Sequence, residues 1–378
     1  MTLRPIDTKA DWADASAAIS AAPRLAIDVE ADGFHRYPER VALIQVALPD
    51  GSIYLVDPLA ALDLDVLGMR LAEPSVPVVL HSGSYDVRAL DRDLGFRIHG
   101  LYDTSIAAQL SGLDRLGLGT VLEQILGVVL PKPKRLQRFD WSSRPLPADA
   151  LAYAAGDVVH LLRLADALAE RIAALGRTAW VAEECARLEG VRHAPPSPPE
   201  EAFLRVTGAR DLDGRGRALL RELSVFREAE ALRLGRPPHF VLSNAAMLAL
   251  AADPEARPEH VEGIGRHVRG PAAGRLREAL ARGLAAEPVP WPPPRGVSPW
   301  TGPARARLGR LKRWRTREAA ALGLDPGIVW PASHLERMAL FPEADPASLD
   351  VDDPPAIRRW QMAALGPSLQ AFHAGLDV

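Results

Sequence analysis

Cysteine is almost absent from this chain, because Cys185 is the single one among 378 residues. An internal disulfide needs two cysteines and a cysteine-rich zinc site needs several, so both are excluded. The ten histidines are scattered and do not show the H-x-x-x-H spacing that places two of them on one helix face. A bound metal would therefore be held by carboxylates, and all-oxygen ligation favours Mg²⁺ or Mn²⁺.

Long hydrophobic runs are also missing. No stretch of about 18 apolar residues occurs, which excludes a membrane-spanning helix. The opening segment MTLRPIDTKADWADAS carries acidic residues where a secretory signal has its apolar stretch. We therefore expect a cytoplasmic protein without a membrane partner.

The chain lacks the strong positive charge of many nucleic-acid-binding proteins, since its net charge is −3. The charge is unevenly divided, however. Residues 1–190 hold 19 basic and 26 acidic side chains, whereas residues 191–378 hold 26 basic and 22 acidic ones. This division fits an acidic active site followed by a mildly basic C-terminal half.

Two proline-rich segments divide the chain, RHAPPSPPE at 192–200 and AEPVPWPPPRGVSPW at 286–300. Neither can continue a helix, so both are predicted to be linkers. The predicted domains are residues 1–192, 201–285 and 301–378. The first has strand patterns in LAIDV, VALIQVAL, SIYLVD and residues 78–80, and helical patterns near 62–72, from Ser84, and over 148–175. This order predicts an α/β fold with a mixed sheet.

The second and third domains contain no convincing strand and resemble each other. An offset of 88 residues without a gap aligns aromatic, glycine and proline positions: Leu220 with Leu308, Phe226 with Trp314, Gly235 with Gly323, and Pro238 with Pro326. Composition alone does not keep these residue types in one register. We therefore predict a tandem repeat of a small all-helical domain.

The predicted strand at the start of LAIDVEADGF is followed closely by acidic residues, with Asp28 inside it and Glu30 directly after it. Side chains two apart on a strand point to the same face, so Asp28 and Glu30 should converge. Buried carboxylates need a compensating partner, and a cation would serve. The alternative is a solvated pair at an exposed strand end.

Two further segments carry acidic residues in similar settings. Asp86 follows a short apolar strand and falls in the first turn of a helix, where negative charge is favoured. Tyr153 and Asp157 are four apart on a helix and so share one face. Each also has a structural reading, as a helix-terminal charge or a solvated pair.

Taken together, Asp28, Glu30, Asp86, Tyr153 and Asp157 resemble the three motifs of the DEDD exonuclease superfamily in its tyrosine-bearing branch. The segments HSGSYD, YDT and LPKPKRLQRFDWSSRPL are similar to the ribonuclease D family, and the repeat is similar to its helicase-and-ribonuclease-D C-terminal (HRDC) domain, present twice. The resemblance covers nearly the whole chain and implies a ribonuclease H-like exonuclease domain followed by two small helical domains. One departure is Ala31, where many family members have an aromatic residue.

The resemblance also implies roles for these residues. Two divalent ions, Mg²⁺ or Mn²⁺, would activate a water and neutralise the leaving 3′-oxygen. Asp28 would bridge the ions, Glu30 and Asp157 would complete one site, and Asp86 would serve the other. Tyr153 would orient the water, since a phenol with a pKa near about 10 is a poor base at neutral pH.

Candidate RNA contacts lie in two places. His81, Lys134, Gln137 and Arg138 are the expected substrate-binding residues near the active site, while Trp141 fits a base-stacking role or, more commonly, a core position. The segment RARLGRLKRWRTR at 305–317 carries seven basic residues and no acidic one. Leu308, Leu311 and Trp314 should form its buried stripe. The expected RNA-facing residues there are Arg310, Lys312, Arg313 and Arg317.

The predicted function is a monomeric 3′→5′ exoribonuclease that releases nucleoside 5′-monophosphates. The expected substrates are precursor tRNAs with single-stranded 3′ tails, because a terminal nucleotide must leave its stack before its phosphate can be reached. Two alternatives remain open at this point. One is a DNA-directed exonuclease on the same fold, and the other is a non-catalytic RNA-binding scaffold.

Overall fold

The computed structural model describes residues 5–131, 133–253, 255–292, 300–342 and 357–375. Several parts of the predicted elements lie outside these ranges. They are residues 293–299 of the second proline-rich stretch, Lys132 of LPKPKRLQRFDWSSRPL (130–146, the basic segment), and residues 343–356 and 376–378 of the third predicted domain.

A six-stranded mixed sheet forms the centre of the N-terminal part. Its order is β1-β4-β3-β2-β5-β6. The β2–β3 and β3–β4 pairs are antiparallel, whereas β1–β4, β2–β5 and β5–β6 are parallel. The strands are β1 (Pro5–Ile6), β2 (Leu25–Ala31), β3 (Val41–Ala47), β4 (Ile53–Val56), β5 (Val78–Leu80) and β6 (Leu101–Asp103).

Helices cover both faces of this sheet, which is why β3 is buried along its whole length. Alternate residues of β3 enter different clusters: Ile44 and Val46 join the larger core, and Leu43 packs with α6 on the other face. The helices are α1 (Lys9–Ala21), α2 (Asp65–Leu71), α3 (Ser84–Leu94), α4 (Thr104–Leu110), α5 (Leu118–Leu126), α6 (Ala148–Val158), α7 (Leu161–Ala174) and α8 (Thr178–Glu189).

The C-terminal half is helical over its described residues. Its longest helices begin 88 residues apart and end 88 residues apart, as the sequence offset predicts. The helices are α9 (Pro199–Ala202), α10 (Gly214–Leu234), α11 (Pro238–Val241), α12 (Asn244–Ala252), α13 (Arg266–Arg269), α14 (Ala273–Ala285), α15 (Gly302–Leu322), α16 (Pro326–Val329), α17 (Ala332–Leu340) and α18 (Arg359–Ala374). The domain limits themselves stay a prediction.

The structure differs from the sequence prediction in several elements. The strands β1 and β6 and the helix α1 were not predicted. The single helix expected over residues 148–175 is divided into α6 and α7 at Val159 and His160. Both residues keep right-handed helical backbone angles. The apolar periodicity therefore continues across the break, and the sequence pattern does not reveal it.

A loop at 32–40, between β2 and β3, joins three parts of the molecule. The ring of His35 is hydrogen-bonded to the carbonyl of Arg138 at 2.8 Å. The Tyr37 amide donates to the carbonyl of Gly235 at 3.1 Å, and its hydroxyl donates to Glu228 at 2.5 Å. The loop therefore ties the basic segment and the first helical domain to the strand that carries Asp28 and Glu30.

The second helical region packs on α8 of the N-terminal part. Trp360 stacks on Trp180 with ring centroids 4.4 Å apart, and its indole donates to Glu184 at 2.8 Å. Trp314 and Trp330 belong to the same continuous apolar core as the sheet. This region therefore shares its core with the N-terminal part.

Candidate active site

Three carboxylates meet at one point of the structure. Oxygen atoms of Asp28, Glu30 and Asp157 all lie within 4.8 Å of one another. The first two come from alternate positions of β2, and the third comes from α6, which crosses that face of the sheet. The predicted convergence of Asp28 and Glu30 is thus observed, and α6 adds Asp157 to it.

The sequence explains how α6 approaches the sheet so closely. The helix begins after Pro147, and its buried side includes Ala150, Ala154 and Ala155. These small side chains let the helix lie low over β2 and β3. Tyr153 and Asp157, one turn apart, are then carried to the acidic centre.

A tight turn before α3 places Asp86 next to β2, the strand that carries Asp28 and Glu30. Asp86 is buried and accepts a hydrogen bond from the Val29 amide at 3.2 Å. In the turn, a Cβ on Gly83 would lie 2.6 Å from the Leu80 side chain, so glycine is needed there. The carboxylate of Asp103 accepts from the Gly83 amide at 2.7 Å and fixes the turn. Asp103 is thus a positioning residue, and its structural role was not predicted.

Burial and repulsion between neighbouring carboxylates favour the protonated forms of Asp28, Glu30 and Asp86. Burial raises the pKa of Asp28 well above its ordinary value, and the charges of Asp86, Asp157 and Glu30 raise it further. Burial, with Asp157 and Asp86, raises the pKa of Glu30 to about 9. The pKa of Asp86 rises to about 7, chiefly through burial. A divalent cation would relieve this repulsion, so the donor set fits an oxygen-ligated metal site.

These pKa shifts predict how metal binding depends on pH. Unfolded carboxyl groups lose their protons near pH 4, so the metal-free folded state holds more protons than the unfolded chain up to about pH 9. Its stability should therefore fall as the pH rises from about 4 to about 9. Metal binding must displace the same protons, so the affinity of the folded protein for a divalent metal should rise with pH.

The measurement is the melting temperature with and without saturating Mg²⁺ from pH 6 to pH 9. The gap between the two curves should widen with pH. A gap that stays constant over this range would contradict the protonation scheme.

Tyr153 lies beside the acidic centre and keeps its proton. Burial raises the pKa of its phenol, and the charges of Asp157, Glu30 and Asp28 raise it further. Trp141 is buried and lies 6.2 Å from the Tyr153 ring between centroids. Trp141 is therefore a core residue that packs near Tyr153. The neutral hydroxyl can orient a water but is a poor base.

The basic segment before α6 lines one approach to the centre. A cavity of about 430 Å³ is bordered by Gln137, Tyr153 and Asp157. Lys134, Gln137 and Arg138 are exposed, as substrate contact requires. Arg135 is instead paired with Asp149.

His81 is placed differently from the expectation of substrate contact. Its ring nitrogens lie 2.8 Å from the Thr104 hydroxyl and 2.7 Å from the Leu116 carbonyl. Because both nitrogens are bonded within the domain, the geometry favours a structural role. The ring fastens the end of β5 to α4 and to the segment before α5.

Two exposed aromatic residues border the other side of the centre. Phe34 and Tyr85 line a hollow together with Glu30, and their exposed fractions are 55% and 40%. Sequence reasoning missed Phe34, because the expected aromatic position directly after Glu30 holds Ala31. The guanidinium of Arg138 lies 6.0 Å from the Phe34 ring centroid.

The four basic residues of α15 are not equally available. Lys312 and Arg313 are exposed. Arg317 pairs with Glu318 at 2.9 Å, and Arg310 donates to the carbonyl of Gly375 at 2.8 Å. Leu311 and Trp314 are fully buried and Leu308 is half-buried, so the predicted apolar stripe is observed.

Comparisons with known proteins agree with this arrangement. A family model described as 3′-5′ exonuclease matches residues 3–173, and the HRDC domain model matches residues 216–273. The assignment of a second HRDC domain stays a prediction. Ribonuclease D of Granulibacter bethesdensis is 30% identical over 93% of this chain and 88% of its own length, and that of Gluconacetobacter diazotrophicus is 29% identical over the same shares.

Solved structures share the fold. Escherichia coli RNase D, described as an exoribonuclease involved in structured RNA processing, superposes with a TM-score of 0.72 at 23% identity, covering 99% of both chains. A Bifidobacterium adolescentis protein gives a TM-score of 0.83 at 24% identity, covering 99% of this chain and 97% of its own. The predicted α/β fold class, with a ribonuclease H-like mixed sheet and a helical C-terminal region, is thereby confirmed. This chain belongs to the ribonuclease D family of 3′→5′ exoribonucleases.

Proposed function

We propose that this protein trims structured RNA from a free 3′ end, with precursor tRNAs that carry single-stranded 3′ tails as its substrates. The observation that carries the proposal is the cluster of Asp28, Glu30 and Asp157, in a chain whose relatives are ribonucleases along nearly their whole length. The half-buried acidic centre argues against the scaffold alternative, because clustered carboxylates that repel each other give no advantage to a binding module. None of the described helices is long and apolar enough to cross a membrane.

The chemistry of the site follows from its donor set. Two divalent ions, Mg²⁺ or Mn²⁺, would supply Lewis acidity toward the attacking water and the leaving 3′-oxygen when bound. Asp28, Glu30 and Asp157 would hold them, with Asp86 completing the set. The Tyr153 hydroxyl would align the water with the terminal phosphate. Hydrolysis then releases a nucleoside 5′-monophosphate and leaves a new 3′-hydroxyl on the RNA.

Surfaces on both sides of the centre can receive a single strand. The Phe34 ring, exposed beside Glu30, offers a stacking face for a base. Lys134 and Gln137 would contact phosphate and sugar groups along the other approach. Arg138 would do so next to Phe34, because its guanidinium lies 6.0 Å from that ring centroid. A duplex cannot present its terminal phosphate there without unpairing, so a tail of a few unpaired nucleotides is required.

The helix α15 offers a second contact, outside the two hollows at the acidic centre. Lys312 and Arg313 are the exposed members of its basic set, and we propose that they bind phosphates of the structured body of the RNA. Such contacts add affinity for long substrates without altering the catalytic step. The predicted contribution of Arg310 and Arg317 is smaller, because both already bond within the protein.

The test is digestion of a tRNA with a 3′ extension, compared with the same RNA ending in a 3′-phosphate, with a matched single-stranded DNA, and with a circular RNA. We expect 5′-mononucleotides from the free 3′ end with Mg²⁺ or Mn²⁺, strong slowing by the 3′-phosphate, and no cleavage of the circle. In a second arm, Lys312→Glu with Arg313→Glu should raise KM for the tRNA but leave a short oligonucleotide unaffected.

Three outcomes would count against the proposal. Cleavage in excess EDTA would reject the metal mechanism. Cleavage of the circle would reject exonucleolytic action. Equal or faster digestion of DNA would favour the DNA-directed alternative on the same fold.

A further inference from the structure

Gln45, in the middle of β3, is a buried polar residue that has no hydrogen-bond partner for its side chain. Its exposed fraction is 0%, and neither its amide nitrogen nor its amide oxygen bonds to any group in the described parts of the chain. Burying an amide in this way costs free energy, and such groups are rare in folded proteins. An apolar side chain of the same size would fill the space without that cost. A structural role alone therefore does not explain a glutamine here.

The register of the sheet places Gln45 directly opposite Asp28. The antiparallel β2–β3 pairing aligns these two residues, and residues opposite each other in such a pair point to the same face. Their Cβ atoms are expected to be about 4.5–5.5 Å apart. The Gln45 side chain is long enough to bridge that separation with its amide.

The surroundings of Gln45 offer little else to bond. Its neighbours on this face are Leu43, two residues along β3, and Leu55, its partner on β4. Both belong to the buried apolar cluster that includes Ala154 and Ala155 of α6. Trp141 and Tyr153 also pack in this cluster, so the layer beside the acidic centre is mainly apolar. The register makes Asp28 the polar residue directly opposite Gln45.

We infer that Gln45 is a positioning residue for the metal centre, donating an amide hydrogen bond to the Asp28 carboxylate once divalent ions are bound; this rests on the proposed function. A carboxylate has about four lone-pair sites, so it can bind cations and still accept a hydrogen bond. A group that hydrogen-bonds to a metal ligand without touching the metal fixes the orientation of that ligand. The ligand concerned would be the one that is shared between the two ions.

Gln45→Met tests this inference, because methionine has a similar length and volume but cannot donate. Loss of such an outer contact typically lowers metal affinity or activity by about 10- to 100-fold. We expect a loss of that size in Mn²⁺ affinity, measured by titration calorimetry, and a smaller rise in melting temperature on adding Mn²⁺. The metal-free protein should melt at the same or a higher temperature, because an unpaired buried amide has been removed. KM for a short RNA should not change.

Leu43→Met is the matched control, since it alters packing on the same face, opposite Glu30, without removing an amide. It should leave Mn²⁺ affinity unchanged. Wild-type Mn²⁺ affinity in Gln45→Met would overturn the inference. A drop in melting temperature of equal size with and without Mn²⁺ would also overturn it, by showing a purely structural role.

Gln45→Leu repeats the test if the methionine variant does not fold. The proposed metal site is tested separately with Asp28→Asn. If that variant retains the full Mn²⁺-induced rise in melting temperature, the proposed assignment of the metal site is wrong. If it loses the rise while Gln45→Met keeps it, only the role of Gln45 is wrong.

Discussion

Asp28→Asn is expected to lower the turnover number by on the order of 10³-fold or more, since each tenfold step corresponds to about 1.4 kcal/mol of transition-state stabilisation and a metal ion supplies several. Asp28 is the member whose pKa is raised by the charges of all three other acidic groups, so it lies at the centre of the set. Asparagine keeps the size of the side chain but removes the negative charge that holds a cation. RNA affinity should persist, because the exposed basic residues are unchanged.

Single-turnover rates on a short RNA give the loss, and fluorescence anisotropy in EDTA gives RNA affinity. Asp50→Asn is the control, because Asp50 is an exposed turn residue that accepts a hydrogen bond from the Ser52 amide and asparagine suits such a position. It should retain wild-type turnover. Retention of more than a tenth of the activity by Asp28→Asn would show that turnover does not depend on the Asp28 carboxylate.

Trp360→Ala should lower the free energy of unfolding by about 3–5 kcal/mol, the usual cost of removing a large aromatic side chain from a core. Trp360 is 4% exposed. Its stacking on Trp180 and its hydrogen bond to Glu184 join the second helical region to α8. The alanine variant leaves a cavity at this junction and removes one hydrogen-bond partner from the half-buried Glu184 carboxylate.

Urea-induced unfolding followed by tryptophan fluorescence and circular dichroism measures this loss. Phe341→Ala is the matched control, because Phe341 has a large exposed fraction at the end of α17 and should cost well under about 1 kcal/mol. Turnover on a short RNA should survive in Trp360→Ala below its melting temperature. A loss no larger than that of the control would show that the junction does not stabilise the fold.

Local pattern was enough to predict the central strands and most of the acidic centre. The alternation in LAIDVEADGF predicted that Asp28 and Glu30 share a face, and the four-residue spacing predicted the same for Tyr153 and Asp157. Two-residue strands such as β1 carry too few positions for a pattern. The sequence also could not predict which residue of β3 lies opposite Asp28, because pairing register depends on the whole sheet.

Loops and domain contacts account for the remaining differences. Phe34 reaches the centre through a turn, and β2 and β3 shift register between Glu30 and Ala31, which redirects the chain there. The second proline-rich segment predicted a linker, but composition could not reveal that the region after it shares a core with the sheet. His81 matched a family position, yet its bonds to Thr104 and Leu116 can be seen only in three dimensions.

The loop at 32–40 limits how parts of this protein can be exchanged with those of relatives. Tyr37 is hydrogen-bonded to Gly235 and Glu228 of the first helical domain, and His35 to the Arg138 carbonyl in the basic segment. A chimera that replaces the first helical domain at the 192–200 boundary would keep a 32–40 loop whose contacts match the original domain. Grafting residues 32–40 together with the new domain should restore the fit. The natural unit of recombination here is therefore discontinuous in sequence: a helical domain plus nine residues that lie far upstream of it.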